Sequence, residues 1–289
     1  MKKTSLLKQY IMEHEILVMP GAHDALTAKI IQAAGFRALT MGGYAASASL
    51  LGQPDVSLLS MTEIVECYRR VVDAVDIPVF VDGDTGYGGI LNVHRTVKEV
   101  ERSGAAGMFI EDQVFPKRCG HMEGKQIIES AEMEAKIKAA LDARTDGDFI
   151  IMARTDALAI YGLQNAIERA NRYRDAGADL IFVEAPTSVD QMSAITSSVK
   201  APLLANNVEG GKSPLLGAAE LQRIGYSAVV FPVAATFTVA QAVFRLMHDL
   251  KTSGTTAGFL ENMTTFDDFN QLVGLERLRA LESKYFSNH

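Results

Sequence analysis

Cys119 sits in PKRCGH, Pro116 to His121, directly after Lys117 and Arg118 and two positions before His121. A cysteine kept for packing usually lies in an apolar run, because a free thiol behaves as a small hydrophobe. Cationic neighbours instead favour the thiolate and lower the thiol pKa. Cys119 is therefore a candidate for acid–base chemistry, with Lys117, Arg118 and His121 as the groups that tune it. A second set of residues is acidic: Asp55, the DGD triplet with Asp82 and Asp84, Glu111-Asp112, Asp156 and Glu184. If they meet at one place, such acids repel each other and take up protons unless a cation neutralises them. Oxygen ligands without His or Cys suit Mg²⁺ or Mn²⁺, and Mg²⁺ in particular keeps several waters beside a few direct carboxylates. Asp82 and Asp84, two apart, project to the same side of an extended chain, although DGD is also a common turn sequence. Arg154 stands among the acids either as their ion-pair partner or as a clamp on a substrate carboxylate. Gly42-Gly43 would let backbone N–H groups approach a small anion, or simply make a turn.

The elements that must position these residues are legible as an alternation. Eight short apolar runs, many rich in β-branched residues, predict strands at 16–19, 38–41, 79–82, 108–111, 150–153, 180–183, 203–205 and 228–231. Helix-like segments such as ALTAKIIQAA, MTEIVECYRRVVDAV, NVHRTVKEVERS, EMEAKIKAALDAR, LQNAIERANRYRDA and AAELQRI lie between them. A glycine precedes several strands, as in AAGFRALT, RSGAAGMFI, DAGADLIFV and RIGYSAVVF, where it suits the left-handed end of a helix. The pattern predicts an α/β fold of the (β/α)₈ TIM-barrel type, with a doubly wound open sheet as the alternative. No linker divides residues 1–289, so one barrel domain with a helical C-terminal extension from about Val239 is expected. In such a barrel the site forms at the carboxyl ends of the strands. The acids, Gly42-Gly43-Tyr44, Arg154 and Asn206-Asn207 all follow strands.

Composition excludes several classes of function. The 289 residues carry a formal charge of −7 and no basic cluster beyond short pairs, which argues against nucleic-acid binding. No signal-peptide pattern opens the sequence and no apolar run reaches membrane-spanning length. Cys67 and Cys119 lie far apart, so a reducing, cytoplasmic setting is expected rather than a disulfide framework. GGKS at 210–213 lacks the glycine that a phosphate-binding loop needs five residues earlier, where Asn206 stands.

Taken in order, DGDTGYG, IEDQ followed by PKRCGH, MARTDA, FVEA and LLANNVEGG resemble the isocitrate lyase/phosphoenolpyruvate mutase superfamily over nearly the whole chain. Within it the sequence is similar to the short lyases of the 2,3-dimethylmalate and 2-methylisocitrate type. The resemblance implies a Mg²⁺-dependent barrel enzyme, a homotetramer with C-terminal helices exchanged between subunits. It implies metal positions at Asp82 and Asp84, with Asp55 and Glu111 in the outer shell. Gly42, Gly43 and Tyr44 would bind the pyruvate-like end of the substrate; Gly120, Arg154, Glu184, Asn206, Asn207 and Val208 would line the rest. Lys117 to His121 would form a gating loop in which Cys119 is the general acid. The implied reaction is cleavage of a 2-hydroxy-dicarboxylate to pyruvate and a second acid, with methylisocitrate cleavage to pyruvate and succinate or carboxyphosphonoenolpyruvate phosphonomutase chemistry as alternatives. Two positions depart from the pattern: Phe109 stands where many relatives have His, and Phe237 stands five residues after Pro232, where tricarboxylate-cleaving members carry Arg. The second favours an alkyl-malate over a tricarboxylate.

Overall fold

Eight short parallel strands close into a ring: β1 (Leu17–Pro20), β2 (Leu39–Met41), β3 (Val79–Asp82), β4 (Gly107–Glu111), β5 (Ile150–Thr155), β6 (Leu180–Val183), β7 (Leu204–Asn206) and β8 (Ala228–Phe231). The computed structural model describes residues 1–118, 120 and 124–286. One arc runs β2-β3-β4-β5-β6 and the other β1-β8-β7. Parallel bridges between Gly21 and Thr40 and between Ile181 and Leu203 join the two arcs. The (β/α)₈ expectation holds, with strand limits shifted by one or two residues, and the open-sheet alternative is excluded.

The helices are α1 (Lys3–Met12), α2 (Ala25–Ala33), α3 (Gly43–Leu51), α4 (Met61–Ala74), α5 (Ile90–Arg102), α6 (Ser130–Ala143), α7 (Leu158–Asp175), α8 (Val189–Ser198), α9 (Ala218–Ile224), α10 (Ala234–Ser253), α11 (Phe266–Leu272) and α12 (Leu275–Phe286). Helix α4 shows how sequence sets such an element. Ser60 and Glu63 form a capping box that satisfies the first orphan amides, and Ile64, Val65, Cys67, Tyr68, Val71 and Val72 make the buried stripe. Cys67 is thus a packing residue, and burial pushes its thiol up.

Alternate strand residues enter two separate cores, as a pleated strand requires. Val79, Val81, Met108, Ile110, Ile151, Ala153, Ile181, Val183 and Val229 face outward and pack with buried helix residues. Leu17, Met19, Phe80, Met152, Phe182, Leu204 and Val230 face inward and fill the barrel. Leu7 and Ile11 of α1 join this inner core, so the N-terminal helix plugs the end of the barrel remote from the strands' carboxyl ends. Thr4 and Ser5 fasten it by donating to Asp146 at 3.0 Å and Asp148 at 2.7 Å.

Helix α10 begins directly after β8, so Val239, the expected start of the extension, lies inside a continuous helix. No residue of α10, α11 or α12 is buried, and Val243, Phe244, Met247, Phe266 and Leu281 are exposed. The described residues contain no helix long and apolar enough to cross a membrane.

The plug supplies a test of packing. Leu7 is fully buried, and truncating a buried leucine leaves a cavity that costs about 2–5 kcal/mol. Leu7→Ala is expected to lower the denaturation midpoint accordingly. A variant as stable as the parent would show that α1 does not help hold the barrel.

Candidate active site

Two residues decide the chemistry of each strand's inner face. Phe80 is followed by Asp82, Phe109 by Glu111, Met152 by Arg154, Phe182 by Glu184 and Leu204 by Asn206. The inner face therefore changes from apolar to polar within one step of the pleat. Most of these side chains, with Gly42, Gly43, Tyr44, Asp55, Lys117, Gly120, Val208 and Phe237, line a cavity of about 300 Å³.

Its acidic side is tightly organised. Asp82 accepts hydrogen bonds from the Gly43 amide at 2.9 Å and the Asp84 amide at 2.7 Å, one on each carboxylate oxygen. Gly42 is the N-cap of α3, so Asp82 sits at the positive end of that helix. The strand is held at this level by Tyr68, whose hydroxyl donates to the Asp82 carbonyl at 2.6 Å. Between the two aspartates only glycine fits, because a Cβ on Gly83 would strike the Met108 side chain and the Phe109 carbonyl. The chain then turns into the left-handed region at Asp84. As a result Asp84 does not line the cavity beside Asp82; its carboxylate accepts from the Thr85 amide at 2.7 Å.

Lys117 enters this cluster from the loop after β4. Its ammonium lies 2.6 Å from Asp55 Oδ2 and 3.9 Å from Asp84 Oδ2. Burial opposes the charge, but Asp82, Glu111, Asp55 and Asp84 outweigh it and hold the group protonated well above the usual lysine range. Burial pushes the Asp84 carboxyl up to about 6. It drives the fully buried Glu111 well above the usual carboxylate range, despite Arg154 and Lys117. Neither Glu111 oxygen receives a hydrogen bond. Three aspartates gathered around Lys117, with Glu111 beside them carrying no hydrogen bond and only the Arg154 ion pair, fit a hard divalent cation. Among the described residues no three acidic, His or Cys side chains form a cage of their own.

Arg154 is gripped by acids on three sides. It pairs with Glu111 at 3.2 Å, Asp156 at 3.0 Å and Glu184 at 3.0 Å, and stacks over Phe182 at 5.3 Å. The ion-pair reading is visible in these contacts, and the same guanidinium also lines the cavity. Behind it, buried Asp112 accepts from Thr155 Oγ1 at 2.7 Å, the Asp156 amide at 2.9 Å, Tyr173 at 2.8 Å and Arg169 at 3.3 Å.

Not every expected residue reaches the cavity. Asn206 does, but Asn207, just past the end of β7, does not line the cavity and donates to the Leu216 carbonyl at 2.7 Å, fixing the loop that contains GGKS. The Arg118 side chain is exposed, and Gln113 binds its backbone at both N and O. Gly120 is pressed so closely on Arg154 and Glu184 that a Cβ there would collide with both. Cys119 and His121 lie outside the described residues. Phe237, 40% exposed, meets Tyr44 edge-on with ring centroids 6.2 Å apart. Sequence reasoning missed Lys125, which donates to Asp156 at 2.7 Å and to the Gly120 carbonyl, and Ser57, which accepts from the Lys117 amide at 3.0 Å. Glu209, Gly210 and Gly211 also line the cavity; their position just after β7 was the available signal.

A closed parallel barrel that gathers acids, a lysine and an arginine at its strand ends has the architecture of a barrel enzyme. The phosphoenolpyruvate phosphomutase family matches residues 7–251, and the chain belongs to that family, within the PEP mutase/isocitrate lyase superfamily. It is 47% identical over 285 residues to the 2,3-dimethylmalate lyase of Eubacterium barkeri, with 99% of each chain covered. It is 42% identical over 275 residues to the 2-methylisocitrate lyase of Halalkalibacterium halodurans, covering 95% of this chain and 91% of that one. A crystal structure of a 2,3-dimethylmalate lyase superimposes with a TM-score of 0.93 at 33% identity, over 99% of this chain and 96% of the other. A phosphonopyruvate hydrolase in complex with oxalate and Mg²⁺ superimposes at 0.90 with 30% identity, over 99% of this chain and 100% of the other. The protein is an enzyme of this superfamily.

Asp156 gives the site a pH signature. Burial alone would raise its carboxyl, but Arg154 and Lys125 outweigh that and lower it from the ordinary 3.8 to about 2. The folded state then binds fewer protons than the unfolded one, so this contribution to stability is complete above about pH 4 and is lost as pH falls through about 2. The stability gap between wild type and Asp156→Asn should be largest above pH 4 and shrink towards pH 2 in denaturant titrations. A gap that does not change with pH would contradict the ion-pair assignment.

Proposed function

We propose that the chain is a carbon–carbon lyase that breaks the C2–C3 bond of a substituted malate of the 2,3-dimethylmalate type to give pyruvate and propionate. The observation that carries this reading is the contrast between two arcs of the cavity wall. Both lining cations among the described residues, Lys117 and Arg154, come from the β4–β5 side. The wall that follows β7 and β8 instead presents Val208, Glu209 and Phe237, with no cation among the described residues. A third carboxylate placed against Val208 and Phe237, beside the Glu209 carboxylate, would be desolvated with no cation to pair with, whereas a methyl group would pack there.

Asp82 and Asp84 would hold Mg²⁺ or Mn²⁺, with Asp55 and Glu111 acting through its water. When bound, the cation supplies Lewis-acid polarisation of the substrate's C1 carboxylate and C2 oxygen. The start of α3, at Gly42 to Tyr44, would orient the pyruvate half with backbone N–H groups at a helix N-terminus. As the C2–C3 bond breaks, the C2 hydroxyl gives its proton to a water in the site and becomes the pyruvate carbonyl, while the C2–C3 electron pair moves to C3. Arg154, fixed by Glu111, Asp156 and Glu184, would stabilise that developing charge without reorganising. The thiol of Cys119, placed by the PKRCGH motif, would return a proton to C3.

Release of pyruvate from 2,3-dimethylmalate and from 2-methylisocitrate, followed in a coupled assay on wild type and Phe237→Arg, tests the reading. Wild type is expected to favour the dimethyl substrate by about 10²-fold or more in kcat/KM, and Phe237→Arg to narrow or reverse that preference. Cys119→Ser should lose about 10²–10⁴ in kcat in the same assay, and a variant with more than about a tenth of wild-type turnover would remove Cys119 from the proton step. A wild-type preference for the tricarboxylate would make methylisocitrate cleavage the better assignment. Absence of pyruvate from any hydroxy-diacid would point to carbon–phosphorus chemistry.

A further inference from the structure

Lys117 in the carboxylate cluster is not a surface side chain that happens to reach inward. Lys117 is 4% exposed, and its ammonium is seated 2.6 Å from Asp55 and 3.9 Å from Asp84. Its own amide is held by Ser57 at 3.0 Å, a residue in left-handed backbone conformation. The next residue is pinned at both backbone N and O by the Gln113 side chain, at 3.0 and 2.9 Å. Gln113 in turn lies just beyond the end of β4, two residues after Glu111. The lysine is thus built into the barrel rim from both sides of the chain.

We propose that Lys117 is the internal counter-ion of the cation site: its ammonium neutralises Asp55 and Asp84 when no divalent cation is present and weakens the binding of that cation when it arrives. The inference rests on the metal reading given above. Its physical basis is the repulsion between like charges within a few ångströms in a buried setting, where screening by salt is weak. An ion entering beside Asp82 and Asp84 meets carboxylates whose negative potential the ammonium has already reduced. Lys117 therefore lets the cluster survive without metal, and holds metal affinity below what the four carboxylates would otherwise reach.

Calorimetric titration of Mg²⁺ and Mn²⁺ into wild type, Lys117→Met and Lys117→Arg tests this without reference to turnover. Lys117→Met is expected to bind either ion at least about tenfold more tightly, equivalent to about 1.4 kcal/mol. Its melting temperature in EDTA should be lower than that of wild type, with a larger rise on adding Mg²⁺. Lys117→Arg keeps the charge and should stay within about threefold of wild-type affinity on a scale where tenfold is 1.4 kcal/mol. If Lys117→Met folds only with cation present, the Mg²⁺ dependence of its unfolding midpoint supplies the same comparison. Equal or weaker cation binding by Lys117→Met would overturn the counter-ion role alone. Arginine behaving like methionine would overturn it as well, by showing that shape rather than charge matters. Failure of all three proteins to bind a divalent cation would overturn the metal reading and this inference with it.

Discussion

Burial of several carboxylates in one place is the constraint on which the rest of the site depends. Asp55, Asp82, Asp84 and Glu111 are all nearly or wholly buried, and charged groups out of water must be paired, hydrogen-bonded or neutralised by protons. Each solution is visible in a different residue. Asp82 is satisfied by two backbone amides, Asp55 by Lys117, and Asp84 and Glu111 are left with raised pKa values. Arg154 and Lys125 serve the neighbouring acids Asp156 and Glu184. The cluster is held near the limit of what burial tolerates, a condition common to sites whose charge is completed by a cation or substrate.

The barrel makes this concentration possible because each strand offers its last inward position to the rim. Phe80, Phe109, Met152, Phe182 and Leu204 form a floor beneath Asp82, Arg154, Glu184 and Asn206. That floor keeps water from the underside of the polar ring and strengthens every charge interaction above it. Stability is placed at the other end, where α1 inserts Leu7 and Ile11 into the inner core. The division follows the general separation in such barrels between a stabilising face and a reactive face.

Much of this was legible in the sequence, for identifiable reasons. All eight strands were readable because buried parallel strands are short apolar runs. The acids and Arg154 were readable because the residues after a strand end must face the cavity or its loops. Helix α3 was not anticipated: GYAASASLL has small residues on every side and no amphipathic stripe to announce a helix. Asn207, just past the end of β7, bonds to the Leu216 carbonyl rather than lining the cavity, a partner that no pattern in the sequence encodes. Arg118 and Lys117 are chemically alike and adjacent, yet one is exposed and the other buried. Only the loop's path, fixed by Ser57 and Gln113, separates them. The bonds from Lys125 and from Tyr173 join residues distant in the chain, and no periodicity encodes such pairs.

On the metal reading, one divalent cation beside Asp82 would complete the acidic rim. Anomalous diffraction from crystals of the enzyme grown with Mn²⁺ tests it most directly. A single ion at direct coordination distance from an Asp82 carboxylate oxygen, about 2.0–2.2 Å, with water between it and Asp55 or Glu111, is expected. An ion bound elsewhere on the chain, or an acidic rim that stays free of metal at saturating Mn²⁺, would contradict it.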